Sequence, residues 1–171
     1  MKVVIPIFFV GVSLVMAAPA KSADQSGTPE KKRETAWCKT ISDDDKAMDK
    51  AVTKARESLG FFLAALKADK PDSTDFKVKK CCVDGDNVEH VWIRDITWDG
   101  KVFHGRVDNA PLDVHNVKLG ARVTIAPDDV SDWMFVKDGK LMGGFTTRVF
   151  YSGLSAAEKT QFQKEAGFTI D

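Results

Sequence analysis

Three histidines, His90, His104 and His115, share a stretch with Glu89 and Asp95, and imidazole mixed with carboxylate can hold a divalent cation. Zinc ligands usually include one tight pair at helix or hairpin spacing, which these residues lack. The pairing that strand geometry offers is His104 with Asp95, a cross-strand polar pair or the seed of a small-ligand or metal carrier. Asp84-x-Asp86, followed by Asn87 and Glu89, is similar to the opening of a calcium loop. The third oxygen ligand, the glycine and the distant glutamate of that pattern are missing, and a hairpin turn explains the same residues. Asp95, Asp108, Asp113, Asp128, Asp129 and Asp132 could furnish an acid and a base, so a cell-envelope hydrolase using carboxylates is the enzyme alternative. Nothing picks out two of them at a defined separation. There is no G-x-S-x-G, phosphate-cradling loop or dinucleotide fingerprint, and no cofactor is expected.

Binding chemistry is better represented. Asp132-Trp133 sets an acid beside an indole, which offers area and one donor. In a strand one of the two points in and the other out; the expected arrangement buries Trp133 and leaves Asp132 at the surface. Asn109-Ala110-Pro111 should close a strand in a turn, with the Asn109 amide as the part that could meet a ligand. The candidate binding residues are therefore Asp132, Trp133, Asn109, Asp95, His104 and Glu89, with no catalytic residue and no metal assigned.

The elements that must position them are legible in outline. Ser42 is a good N-cap, and Asp43, Asp44 and Asp45 suit the positive end of a helix. Met48, Val52, Ala55, Leu59, Phe62 and Leu66 form an amphipathic stripe that predicts one long helix, bent or split at Gly60 and ended by Lys70-Pro71-Asp72. Strands are predicted over Phe76–Val83, Val88–Trp98, Arg122–Ile125 and Asp132–Val136, with turns at Asp84-Gly85-Asp86-Asn87, Asp99-Gly100 and Asp138-Gly139. A two-residue turn at Asp99-Gly100 would pair Trp98 with Lys101, Ile96 with Phe103, Asp95 with His104, Arg94 with Gly105 and Trp92 with Val107. That register puts Trp92, Ile96, Phe103 and Val107 under the first helix, and His90 on the opposite face from His104. Gly143-Gly144 reads as close backbone packing, and Ser155 with Glu158 as the capping box of a short final helix stopped by Gly167. The fold class is α+β: a bent antiparallel meander of five or six strands, open or partly closed, with a long N-terminal helix on one face and a short C-terminal helix.

The address comes from the start of the chain. Met1-Lys2, the apolar run Val3–Met16 and Ala18-Pro19-Ala20 make up a secretory signal with cleavage expected after Ala20. The run is shorter than the roughly 20 apolar residues of a spanning helix, and no cysteine follows it to take a lipid. The expected layout is a signal peptide over 1–20, a flexible tether and lead-in over 21–41, and one domain over 42–171. Localisation would be periplasmic or secreted, with no membrane span after cleavage. Lys and Arg number 25 against 25 Asp and Glu, and the Lys31-Lys32-Arg33 cluster is flanked by Glu30 and Glu34, so no nucleic acid is expected as a partner. Three cysteines, Cys38, Cys81 and Cys82, allow one disulfide after export. A vicinal bridge is strained, and the parity of Phe76, Val78 and Cys82 turns Cys82 to the core and Cys81 outward. Cys38–Cys81 is the expected pair, with Cys82 a buried thiol.

Glu89-His90-x-Trp92, Asp95-Ile96, Gly105, Asn109-x-Pro111, Leu119-Gly120, Ser131-Asp132-Trp133-Met134 and Asp138-Gly139-Lys140-x-x-Gly143 recur together in one bacterial family. On these residues the chain resembles the YegJ-like family, a domain of unknown function, from about Asp44 to Tyr151. The resemblance implies a fold and brings no activity; Cys82 departs from the larger apolar residue usual there. The Asp-Trp-Met stretch also resembles a segment in domains linked to bacterial toxin immunity. The reading that follows is an exported, non-enzymatic binding module with a protein partner in the cell envelope, and its finer form is an immunity-type inhibitor of a toxin or hydrolase.

Overall fold

A computed structural model describes residues 46–171, so the expected signal peptide and tether, Cys38 and the expected Ser42 cap lie outside the described residues. The apolar stripe forms two helices, α1 (Lys46–Glu57) and α2 (Leu59–Ala68). They part at Ser58, whose hydroxyl donates back to the Lys54 and Ala55 carbonyls at 2.5 and 3.3 Å. Such back-bonding competes with the helical ladder, and Gly60 just beyond adds backbone freedom. The stripe survives the break: Ala51, Ala55, Leu59 and Phe62 are buried, and Leu66 packs against the core.

Six strands follow: β1 (Ser73–Asp84), β2 (Asn87–Trp98), β3 (Phe103–Val107), β4 (Arg122–Ile125), β5 (Val130–Lys137) and β6 (Lys140–Gly143). They pair antiparallel in the order β4-β3-β2-β1-β5-β6. The first four are a meander. After a 3₁₀ turn at Pro127–Asp129 the chain returns to the far side of β1, and the sheet stays open. At the β5–β6 hairpin Asp138 and Gly139 have φ of 50° and 75°, the positive values that a two-residue turn of this hand demands.

The Asp99-Gly100 register is corrected. Trp98 pairs with Phe103, Thr97 with His104, Arg94 with Arg106 and Ile93 with Val107. The Asp99 carboxylate accepts from the Lys101 and Val102 amides, both at 2.8 Å, and this opens the loop to four residues. A bulge between Arg94 and Thr97, with Asp95 at φ 55°, then shifts the frame by one. Ile93 and Ile96 therefore share the helix-side core with Phe103 and Val107, while Trp92 belongs to the other face. His90 on β2 and His104 on β3 consequently lie on one face of the sheet, and not on opposite faces.

Both faces are covered in part. The first carries Phe62, Val78, Cys82, Val91, Ile93, Phe103, Trp133 and Phe135 beneath α1 and α2. The second carries Trp92, Met134 and Leu141 against Phe168, Ile170 and Phe162, contributed by α4 (Ala156–Ala166) and the chain end. Cys81 is buried as well as Cys82, so it points away from the helix-side core without reaching solvent. A short helix that the sequence pattern did not announce, α3 (Phe145–Ser152), begins directly after Gly144. A Cβ on Gly143 would collide with the Trp133 carbonyl oxygen, which is the close packing expected of that pair of glycines. The Ser155–Glu158 capping box and the left-handed Gly167 frame α4 as anticipated. Beyond it, the Leu141 amide donates to the Thr169 carbonyl and the Thr169 amide to the Gly139 carbonyl, both at 2.9 Å. The chain end thus lies along the outer edge of β6.

Candidate functional site

Each candidate residue has a definite place. Asp95 is exposed on the bulge and pairs with Arg94 at 2.8 Å. His104 is not its partner: its Nε2 lies 2.9 Å from Asp99 Oδ2, because the true register carries it two residues further round the loop. Backbone donors from Val102, then the His104 ring, then the Lys101 amide hold the Asp99 carboxyl down at about 2. Asn109 Oδ1 accepts from the Trp92 amide at 2.7 Å and so fastens the end of β3 to β2. Among the described residues no three His, Cys, Asp or Glu side chains converge as a metal site.

Asp132 and Trp133 are both buried, the expected surface position of Asp132 being overturned by the second layer of helix. Trp133 Nε1 donates to the Ala55 carbonyl at 2.8 Å, tying β5 to α1. Asp132 performs a capping role across the fold. The residue at the start of α3 is Gly144, which has no side chain to offer, and Asp132 accepts instead from the Phe145 amide at 3.1 Å, the Thr146 amide at 2.8 Å and the Thr146 hydroxyl at 2.6 Å. Burial pushes its carboxyl up, against the pull of Lys79 and of these donors.

Lys79 completes the network, and sequence reasoning passed it over. Its Nζ donates to Thr146 Oγ1 at 2.8 Å and lies 4.6 Å above the Trp92 ring. Burial lowers its pKa, with Asp132 opposing. Next to it, His90 Nδ1 lies 2.9 Å from Ser131 Oγ, which donates to the Lys79 carbonyl at 3.2 Å. Burial holds the His90 imidazole down at about 4, and the nearby Lys79 and Arg56 charges add to the effect. A serine beside a histidine is the spacing of a nucleophile and its base. Ser131 is 1 % exposed, however, and the pair ties β2 to β5 through the Lys79 carbonyl of β1 in the interior.

A different part of the surface is held in a fixed form. Glu89 is buried, and its carboxylate accepts from the Leu112 and Asp113 amides at 2.9 Å and from Val114 at 3.4 Å. Asp84 accepts from the His115 amide at 2.8 Å, and Asn116 Nδ2 donates to the Val83 carbonyl at 2.7 Å. Two of the carboxylates that looked like cation ligands, Glu89 and Asp84, are thus committed to the backbone of the β3–β4 loop, residues 108–121. Val114 plugs that loop into the core, while Leu112 and Leu119 are each 60 % exposed. Pro111, Val117, Lys118 and Leu119 border an open depression of about 310 Å³. A fixed backbone that displays apolar side chains gives association a surface ordered in advance.

Residues 45–170 match the family described as an uncharacterized protein conserved in bacteria, DUF2314. The chain is 33% identical over 135 residues to the "Putative ankyrin repeat protein NMB1133/NMB1171" of Neisseria meningitidis serogroup B, covering 74% of this chain and 53% of that one. It is 35% identical over 103 residues to the uncharacterized protein YegJ of Escherichia coli K12, covering 60% of this chain and 66% of that one. The chain therefore spans between half and two thirds of the length of these relatives. No solved structure matches it.

Proposed function

Because the chain belongs to the DUF2314 family, whose description names no activity, we propose its function from the site itself: an exported, non-enzymatic module that binds a protein partner through the β3–β4 loop. The observation that carries this is the loop whose amides are clamped by Glu89 and Asp84 while Leu112 and Leu119 face solvent. The buried carboxylates and imidazole, by contrast, are engaged in holding the fold together. Export is supported by the basic start, the apolar run and Ala18-Pro19-Ala20. A Cys38–Cys81 bridge belongs to the same reading, supported by the three cysteines of an exported chain and by the place of Cys81 on the face of β1 turned away from the helix-side core.

An immunity-type inhibitor of a toxin or hydrolase is the finer form of this proposal. The Asp132–Met134 stretch that resembles immunity domains is buried, so the contact surface belongs to the loop and not to that stretch. The test is capture from envelope and secreted fractions with the wild type and with a Leu112→Asp/Leu119→Asp double variant. The expected result is a stoichiometric partner held by the wild type and lost from the double variant. A partner retained by both, or substrate turnover by the pure protein, removes the proposal.

A further inference from the structure

Arg94, Arg106 and Arg122 stand directly opposite one another on β2, β3 and β4, since Arg94 pairs with Arg106 and Arg106 with Arg122. Paired residues share a face, and their neighbours Ile93, Val107 and Val123 belong to the helix-side core, so the three guanidinium groups lie on the second face. Like charges directly opposite one another destabilise a sheet. The row is neutralised at its inner end only. Arg94 meets Asp95 at 2.8 Å and Asp108 at 3.2 Å, whereas among the described residues no carboxylate lies within ion-pair distance of Arg106 or Arg122. Arg106 donates to the Gly120 carbonyl, and Arg122 is exposed. Uncompensated positive charge therefore grows toward β4.

β4 is also the open edge of the sheet. The Val107 amide donates to the Ala121 carbonyl at 3.0 Å, and the alternation this sets turns the backbone of Val123 and Ile125 toward β3. The amides and carbonyls of Arg122 and Thr124 then face outward, and neither residue has a backbone hydrogen bond on that side among the described residues. A strand laid there would place the side chain opposite Arg122 on the face of the arginine row, about 5 Å away.

We propose that the β4 edge takes an extended acidic segment of a partner protein as a further strand, with an Asp or Glu opposite Arg122 completing the arginine row. Charge complementarity selects this occupant: the row needs anions, guanidinium groups grip carboxylates in a directed way, and the balanced overall charge lacks the basic excess of a nucleic-acid binder. The unpaired backbone of Arg122 and Thr124 offers strand geometry to the occupant. The inference rests on the binding-module reading and names the chemistry of the partner.

The test is fluorescence anisotropy at low salt, using the full chain and a ten-residue peptide that alternates Glu with Thr and Val. The expected affinity exceeds that for the Lys-for-Glu counterpart at least tenfold. Arg122→Glu should lower it at least tenfold and favour the Lys peptide, with circular dichroism showing the fold retained; Arg122→Gln serves if Arg122→Glu fails to fold. N-methylation of alternate peptide amides should abolish binding, because it removes the ladder bonds and keeps the charges. Equal affinity for both peptides, no binding of either, or indifference to N-methylation overturns the strand. If loop-dependent capture survives such a result, the acidic strand alone has failed and the binding module stands.

Discussion

His90 is held with Nδ1 2.9 Å from Ser131 Oγ, and its protonation is opposed first by burial and then by Lys79 and Arg56. Its folded-state pKa of about 4 lies below the ordinary 6.5, so between these values the unfolded chain binds more protons than the folded one. Stability should then be fully present above pH 6.5 and fall as pH drops toward 4, by up to about 3 kcal/mol. Urea unfolding across pH 4–7 checks this, and His90→Gln should lower the slope by close to one proton relative to the wild type. Composition could not reveal the effect, because a histidine in a strand gives no sign of whether a second layer covers it. Asp132 is the same lesson from the other side. Alternation beside Trp133 marked it as a surface acid, and only the presence of α3 turns it into a cap.

Among the elements, the β3–β4 loop owes its order to one side chain more than to its own sequence. Glu89→Ala should remove the acceptor of the Leu112, Asp113 and Val114 amides and lower stability by about 2–3 kcal/mol. Hydrogen exchange should accelerate at these three amides while β1 and β5 remain protected. The strands themselves were largely legible. Arg122–Ile125 carries β-branched residues within turn signals, and Asp138-Gly139 supplies both residues that a two-residue turn demands. Asp99-Gly100 carries the same dipeptide signal, and there the Asp99 carboxylate captured two amides and lengthened the loop. That shift, with the Asp95 bulge, hid the arginine row, because the expected register set Arg94 against Gly105 where the sheet sets it against Arg106. The helix break at Ser58 was half visible: Gly60 marked the place, but the hydroxyl that divides the helix is two residues earlier.

For the whole molecule, a Cys38–Cys81 bridge would close a long stretch of chain around α1 and α2. Cys38→Ser should then lower stability by about 4 kcal/mol in the loop-entropy model, and mass spectrometry of exported protein should recover the two cysteines in one cross-linked peptide. Layer order was the least legible level. The long first helix and the capped last one announced themselves through stripe and caps, whereas the return of β5 to the far side of β1 leaves no local mark. That return also decides how copies of the chain can meet. The chain end, hydrogen-bonded through Thr169, occupies the outer side of β6, and the described sheet retains one unpaired margin, at β4. Edge-to-edge association of two copies would consume that margin in both, giving a closed two-fold pair whose described sheets leave no second margin from which a fibre could propagate.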